Sequence, residues 1–302
     1  MVPVVAIVIA VISLVGTLLT AGVTAYLGHF TDKKKRLTEA EKLVAKYRDP
    51  LLLACQDLHS RLYNILEWNI IKFLSTNGPK RDNLLIYTAY VVGQYFSWTH
   101  ILRRQAQFFQ LDTEKGSQEI TKVLAKIVGL FSTDSLNDKN GSPWMVWRGD
   151  QMAIGEVMTV KEDAEMFPMG YADFYKKWMV NGKVIDLSSA DKMRDSNAAD
   201  TNIDNAAFRA RFFPIIEGVL IIGEKMNAKA KDNSITVPDQ RLRCLQHRFV
   251  DLLGVLDPQN LRSEAEYKSR CHKADGCECL CCSRTQSCPC PKCTEKKNAN
   301  TV

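Results

Sequence analysis

From Val4 to Phe30 the chain carries no Asp, Glu, Lys or Arg, and after Thr31 and Asp32 comes the basic run Lys33-Lys34-Lys35-Arg36. A helix of about 20 apolar residues crosses a hydrocarbon core of about 30 Å. Basic residues next to such a span stay on the cytosolic side. The pattern therefore predicts a transmembrane anchor over residues 1–30 and a basic juxtamembrane helix over 31–48. The N-terminus is expected outside, and the bulk of the chain in the cytosol. Two other readings fit less well. A cleaved signal peptide has a basic n-region and an apolar core of about 7–15 residues; here only Met1, Val2 and Pro3 precede a much longer run, although Ala21 and Gly22 are small enough for a cleavage site. A soluble core helix rarely lacks a polar face for so long. The length of the span favours a thicker plasma membrane, with an endomembrane or the outer mitochondrial membrane as alternatives.

Within the anchor, Ser13, Thr17, Ala21 and Ala25 recur every four residues, and Gly16, Thr20, Thr24 and Gly28 form the neighbouring row. Small residues at this spacing let helix backbones approach closely in lipid. The expected partners are thus the lipid bilayer and, through Ser13, Thr17, Ala21 and Ala25, a second copy or another membrane helix.

The chain has 302 residues, a net charge of +6 and 25% charged residues. Beyond the anchor, about 240 residues precede the cysteine-rich end, enough for one large or two small domains with a real core. No basic stripe with interleaved aromatics is present, so nucleic acid is not an expected partner. The excess positive charge suits an anionic cytosolic leaflet. The sequon Asn140-Gly141-Ser142 is followed by Pro143 and falls on the cytosolic side, so no glycan is expected there.

Beyond the anchor, apolar residues recur mostly at helical spacing. Leu37 to Tyr47 continues the anchor helix. Arg48-Asp49-Pro50 reads as a boundary, with Asp49 as cap and Pro50 in a first turn. Leu51, Leu58, Leu62, Ile65, Leu66 and Ile70 lie on one face of a helix expected to run to Leu74. A second helix, capped by Asp82 or Asn83, is expected to end near Phe109. Its apolar half, Leu84 to Trp98, is interrupted by Gln94 and reads as a buried core helix rather than a second span. A third helix covers Ser117 to Phe131. Trp144 to Trp147 reads as a short extended piece, and a helix is expected from Gly149 to Met158. Tyr171 to Met179 reads as an aromatic helix, Asn181-Gly182 as a turn, and the polar stretch Ser188 to Asn205 as a loop. Helices are expected over Ala206–Asn227, Pro238–Leu256 and Leu261–Arg270. The expected fold is mainly α: one N-terminal transmembrane helix, a multi-helix cytosolic domain over 49–270, and a Cys-rich tail over 271–302.

The strings Tyr47-Arg48-Asp49-Pro50-Leu51-Leu52, Asp57-Leu58 and Ser60-Arg61-Leu62-Tyr63-Asn64-Ile65-Leu66 resemble a family of membrane-anchored proteins to which no activity is assigned. Arg148-Gly149-Asp150-Gln151 with Ala153-Ile154-Gly155-Glu156, and Leu242 through Asp257-Pro258, are similar too. The resemblance spans about residues 47 to 258 and leaves the tail outside. It implies a shared fold and says nothing about chemistry.

The sequence lacks the motifs of common catalysis. No Glu is followed three residues later by His, as a di-iron bundle requires. There is no phosphate loop, dinucleotide fingerprint or His-Glu-x-x-His, and no Gly-x-Ser-x-Gly elbow. Three polar constellations remain. His247 and Asp251 are four apart on a helix and can touch, as a catalytic pair or as a plain capped or solvated pair. His100 with Arg103 and Arg104 offers an anion site or a solvated face. Arg148, Asp150, Gln151 and Glu156 gather at a helix start, as a ligand site or a structural network. The Arg148-Gly149-Asp150 string suits an extracellular adhesion ligand only with the opposite topology.

The tail is the strongest local chemical signal. Eight of the ten cysteines lie there: Cys271, Cys277, Cys279, Cys281, Cys282, Cys288, Cys290 and Cys293. A reducing cytosol disfavours disulfides. Thiolates at Cys-x-Cys and Cys-x-x-Cys spacing suit two Cys₄ zinc sites or, second, copper(I). The segment has almost no hydrocarbon side chains, so metal would supply its order. Its spacings match no standard zinc finger. Acylation of clustered cysteines beside basic residues is the rival reading, and a tail without ligand the third. Cys55 and Cys244 sit among apolar residues and read as buried thiols. The functional expectation is a single-pass, membrane-tethered helical interaction or scaffold protein with a metal-binding tail. The alternatives are a membrane-associated enzyme of unknown reaction and a metal sensor or buffer.

Overall fold

The computed structural model describes residues 4–67, 70–75, 78–106, 115–134, 143–163, 165–232, 237, 239–259 and 261. The eight tail cysteines and the expected helix beyond Leu261 lie outside these residues. The described part is mainly helical, with two small hairpins.

One helix, α1 (Val4–Leu66), runs for 63 residues, about 95 Å at 1.5 Å per residue. It changes character along its length. Val11–Asp32 is apolar and long enough to cross a membrane, and none of it is buried. Its described threonines satisfy their own hydroxyls: Thr17 donates to the Leu14 carbonyl at 2.8 Å, Thr20 to Gly16 at 2.8 Å and Thr24 to Thr20 at 2.8 Å. This segment therefore leaves none of those hydroxyls in need of water. From Tyr47 onward the same helix enters the core, with Leu51, Leu52, Cys55, Leu58, Leu62 and Ile65 buried. The boundary expected at Arg48-Asp49-Pro50 does not end the helix, and Pro50 lies inside it. Pro50 removes the bond to the Lys46 carbonyl and crowds that carbonyl with its ring. Lys46 is on an exposed turn, and buried Tyr47, Leu51 and Leu52 hold the helix on both sides of the gap.

The expected run to Leu74 stops at Leu66, and a 3-10 turn, Ile70–Ser75, replaces its end. Helix α2 (Pro79–Ala106) begins at Pro79 rather than at Asp82. It is the central helix. Leu85, Ile86, Ala89, Val91, Val92, Tyr95 and Phe96 bury nearly its whole circumference, against α1 and later elements. Chief among those are α4 (Arg148–Val157), α8 (Phe213–Lys229) and the hairpin of β1 (Thr159–Glu162) with β2 (Glu165–Pro168). Gly155 makes the α2–α4 approach possible: a Cβ there would lie 2.7 Å from the Phe96 carbonyl oxygen. The α3 (Lys115–Ser132) and α9 (Gln240–Leu256) helices pack together, and α9 also packs on α1.

The middle of the chain departs most from expectation. Neither hairpin was legible as paired strands. The aromatic helix shortens to α5 (Tyr171–Lys176), and Met179 starts β3 (Met179–Val180). Asn181-Gly182 makes the expected turn into β4 (Lys183–Val184), both residues at positive φ. The stretch expected as a loop instead forms α6 (Ala190–Ala198) and α7 (Ile203–Ala210). Side chains of Ser189 and Asn202 cap them, accepting from the Lys192 and Asn205 backbone N–H groups. The single helix expected over Ala206–Asn227 is broken between α7 and α8, and Pro214 sits in the first turn of α8. Trp144 to Trp147 forms no strand; Trp144 is fully buried with φ 64°. A Cβ on Gly218 would lie 2.4 Å from its ring, so α8 needs glycine there.

Candidate cationic cleft

Three elements distant in sequence enclose a cleft of about 910 Å³. Arg61 comes from α1, Lys80, Asn83, Leu84 and Tyr87 from α2, and Tyr171, Tyr175 and Lys176 from α5, with Phe73 of the 3-10 turn at one wall. Each element brings its side chain for a local reason. The buried face of α1 at Leu58, Leu62 and Ile65 turns Arg61 half out of the core. Tyr87 and Tyr90 stand one turn apart at the edge of α2's buried surface. Buried Phe174 seats α5 against the core, so that Tyr171 on the preceding turn faces the α2 tyrosines.

The aromatic rings interlock. Tyr171 meets Tyr87 at 5.6 Å and Tyr90 at 5.1 Å between ring centroids, both edge to face. Tyr90 continues the contact to Phe174 at 5.4 Å. Edge-to-face pairs place positive ring edges on negative faces. The Arg61 guanidinium lies over Tyr87, 4.6 Å from its centroid, a cation–π contact. The walls hold three cations, Arg61, Lys80 and Lys176, and no carboxylate. Lys176 pairs with Asp173 at 2.9 Å on the exposed rim.

Burial is the main influence on the titrating groups. It pushes the Tyr87, Tyr90 and Tyr171 hydroxyls above the usual phenol value, so these groups stay neutral donors. It lowers Arg61, with Tyr87, Tyr171 and Asp57 opposing. Asp57, one turn earlier on α1, is raised by desolvation and pulled back by Arg61. This geometry can receive an anion with an apolar body: a guanidinium fork at the floor, aromatic walls and lysines at the rim.

The sequence-level candidates fare differently. Asp251 pairs with Arg248 at 2.7 Å, and His247 is buried, so His247 and Asp251 do not form a plain solvated pair. His100 packs where α2 meets Gly155, and burial, then Arg104, lower its pKa. It therefore adds no charge at neutral pH to the exposed Arg103 and Arg104. Of the Arg148 cluster only Gln151 is buried; it donates to the Val128 carbonyl at 3.1 Å and the Val146 carbonyl at 2.8 Å. Arg148, Asp150 and Glu156 are exposed, so the four form no common site. Cys55 and Cys244 are buried thiols that form no disulfide among the described residues. Cys271, Cys277, Cys279, Cys281, Cys282, Cys288, Cys290 and Cys293 lie outside the described residues; within those residues no group of three or more His, Cys, Asp or Glu could hold a metal ion. The rows Ser13, Thr17, Ala21, Ala25 and Gly16, Thr20, Thr24 line one continuous shallow groove on α1.

Sequence reasoning missed the cleft altogether. Tyr87 and Tyr90 sit in an apolar run that reads as core. Set against family models, curated proteins and solved structures, the chain matches none.

Proposed function

We propose that this chain is a single-pass, membrane-tethered helical interaction protein. The observation that supports it most is the dual character of α1. Its apolar part, Val11–Asp32, is buried against none of the described residues, while its second half supplies core residues from Tyr47 to Leu66. An apolar helix surface left wholly exposed in water would be unstable; lipid is the solvent that suits it. Because the helix is continuous from Val4 to Leu66, the tether runs into the domain as one helix rather than through a non-helical linker. About 22.5 Å of helix separates Asp32 from Tyr47, lifting the core away from the proposed bilayer surface.

The lysines after Asp32 support a cytosolic domain and an N-terminus outside. The groove of small residues around Ser13, Thr17, Ala21 and Ala25 is where a second helix would pack. In the same reading the tail from Cys271 to Cys293 takes up zinc, with copper(I) second, on the reducing side of the membrane. Protease added to sealed vesicles should digest the domain from the cytosolic face. Full protection of the C-terminus would overturn the orientation.

A further inference from the structure

The reading as an interaction protein leaves the partner open, and the cleft narrows it. Arg61 is a half-buried cation whose guanidinium rests on Tyr87, with no carboxylate oxygen within 4.0 Å of it among the described residues. Lys80 adds a second positive group and Lys176, paired with Asp173, a third on the rim; no acidic side chain lines the walls themselves. Asp57 is felt by Arg61 only at longer range. A desolvated guanidinium with an aromatic but no carboxylate partner gains most from a carboxylate, whose two oxygens match its planar fork. Tyr171 and Leu84 offer apolar surface beside that fork.

We propose that the cleft binds an acidic peptide segment of a partner protein. One carboxylate sits on Arg61, and a neighbouring aromatic or aliphatic side chain packs against Tyr171 and Leu84. Lys80 and Lys176 steer the segment in and make its binding salt-sensitive. Lipid headgroups of the tether's own membrane are a poorer match. Arg61 lies about 44 Å further along the same continuous helix than Asp32, beyond their reach where that helix stands along the membrane normal.

The test is calorimetric titration of the full chain in neutral phosphatidylcholine nanodiscs. The probe is an end-blocked hexapeptide of alternating glutamate and phenylalanine; its glutamine-for-glutamate counterpart is the control. The glutamate peptide should bind and the glutamine peptide should bind at least about tenfold more weakly, the step expected when a charge-assisted pair is lost. Arg61→Gln should weaken the glutamate peptide by a similar factor, and Arg61→Lys by less. Lys176→Gln, on an exposed side chain that leaves the fold intact, should weaken it by about threefold and flatten its salt dependence. Absence of binding, equal affinity for both peptides, or unchanged affinity in both Arg61→Gln and Lys176→Gln would overturn the assignment. So would displacement of the peptide by inorganic phosphate at equal concentration, which marks a small-anion site, or by phosphatidylserine vesicles, which marks a lipid site. The titration reads the cleft and protease protection reads the tether, so either can fail alone.

Discussion

The Nε of Arg48 on α1 donates to the carbonyl oxygen of Leu256, the last residue of α9. Two segments 208 positions apart, Tyr47-Arg48-Asp49-Pro50 and Leu256-Asp257-Pro258, are joined by this bond. It places a cation at a helix C-terminus, where unpaired carbonyls carry partial negative charge. Arg241 makes the same kind of contact at the end of α3, donating to the carbonyls of Leu130, Phe131 and Thr133. Hydrogen bonds to charged groups contribute about 1.5–3 kcal/mol. Arg48→Ala should therefore lower stability by about that much, read as a fall in the urea midpoint with unchanged slope. A shift under about 0.5 kcal/mol, the range of ordinary surface changes, would remove this contact from the account.

Asp200 should give the α6–α7 region an acid-sensitive clasp. Its carboxylate meets the fully buried Arg209 at 2.5 Å, and Arg209 also donates to the Asn197 side chain and the Lys177 carbonyl. The backbone N–H of Asn202, then Arg209, hold the Asp200 pKa below its ordinary value. A depressed carboxylate pKa stabilises the fold above the unfolded value of about 3.9, and that stability is lost as pH falls through the folded value. Denaturation from pH 6 to pH 2 should show this loss, and Asp200→Asn should reduce the slope. At neutral pH the substitution should cost about 3–5 kcal/mol, because it leaves the buried Arg209 charge with neutral acceptors only.

Glycines should divide by sign. Gly155→Ala and Gly218→Ala put a Cβ 2.7 Å from the Phe96 carbonyl oxygen and 2.4 Å from the Trp144 ring. Overpacking of this kind costs about 1–3 kcal/mol. Gly129→Ala in α3 and Gly254→Ala in α9 meet nothing within 4 Å. They should stabilise by about 0.4–1 kcal/mol. Thermal midpoints of the four variants check both directions at once; a destabilised Gly254→Ala would contradict the packing described for α9.

How far the sequence carried differs by element. The face of Leu51, Leu58, Leu62 and Ile65 repeats at helical spacing, so α1 and α2 were legible as core helices. The helices α6 and α7 were not, because their only buried apolar anchors are Met193 and Phe208; the readable signals were the caps Ser189 and Asn202. The four-residue strands β1 and β2 are too short for an alternation to stand out. The cleft could not be read at all, since Arg61, Tyr87 and Tyr171 meet only through tertiary packing of α1, α2 and α5. Pro50 misled for a physical reason: one lost backbone bond costs less than breaking a helix whose next turn is buried.

The cysteine tail makes a chemical prediction from its sequence. The reduced full chain should take up zinc in stoichiometric titration and release it on acidification, because protons compete for the thiolates. Changing Cys279, Cys282, Cys290 and Cys293 to serine should reduce the metal load while far-ultraviolet circular dichroism stays the same, since the core ends before Pro258. If no zinc or copper(I) is taken up, thioester-linked lipid on the same cysteines becomes the account to test.

The central claim is that one helix is both tether and core. Alkaline carbonate extraction of membranes carrying the full chain, set beside a variant lacking residues 1–32, tests it most directly. The full chain should stay with the membrane pellet. The shortened chain should be released and should unfold at the same temperature, because the side chains of 11–32 bury against none of the described residues of the domain. Release of the full chain by carbonate, or a large fall in unfolding temperature on removing residues 1–32, would contradict it.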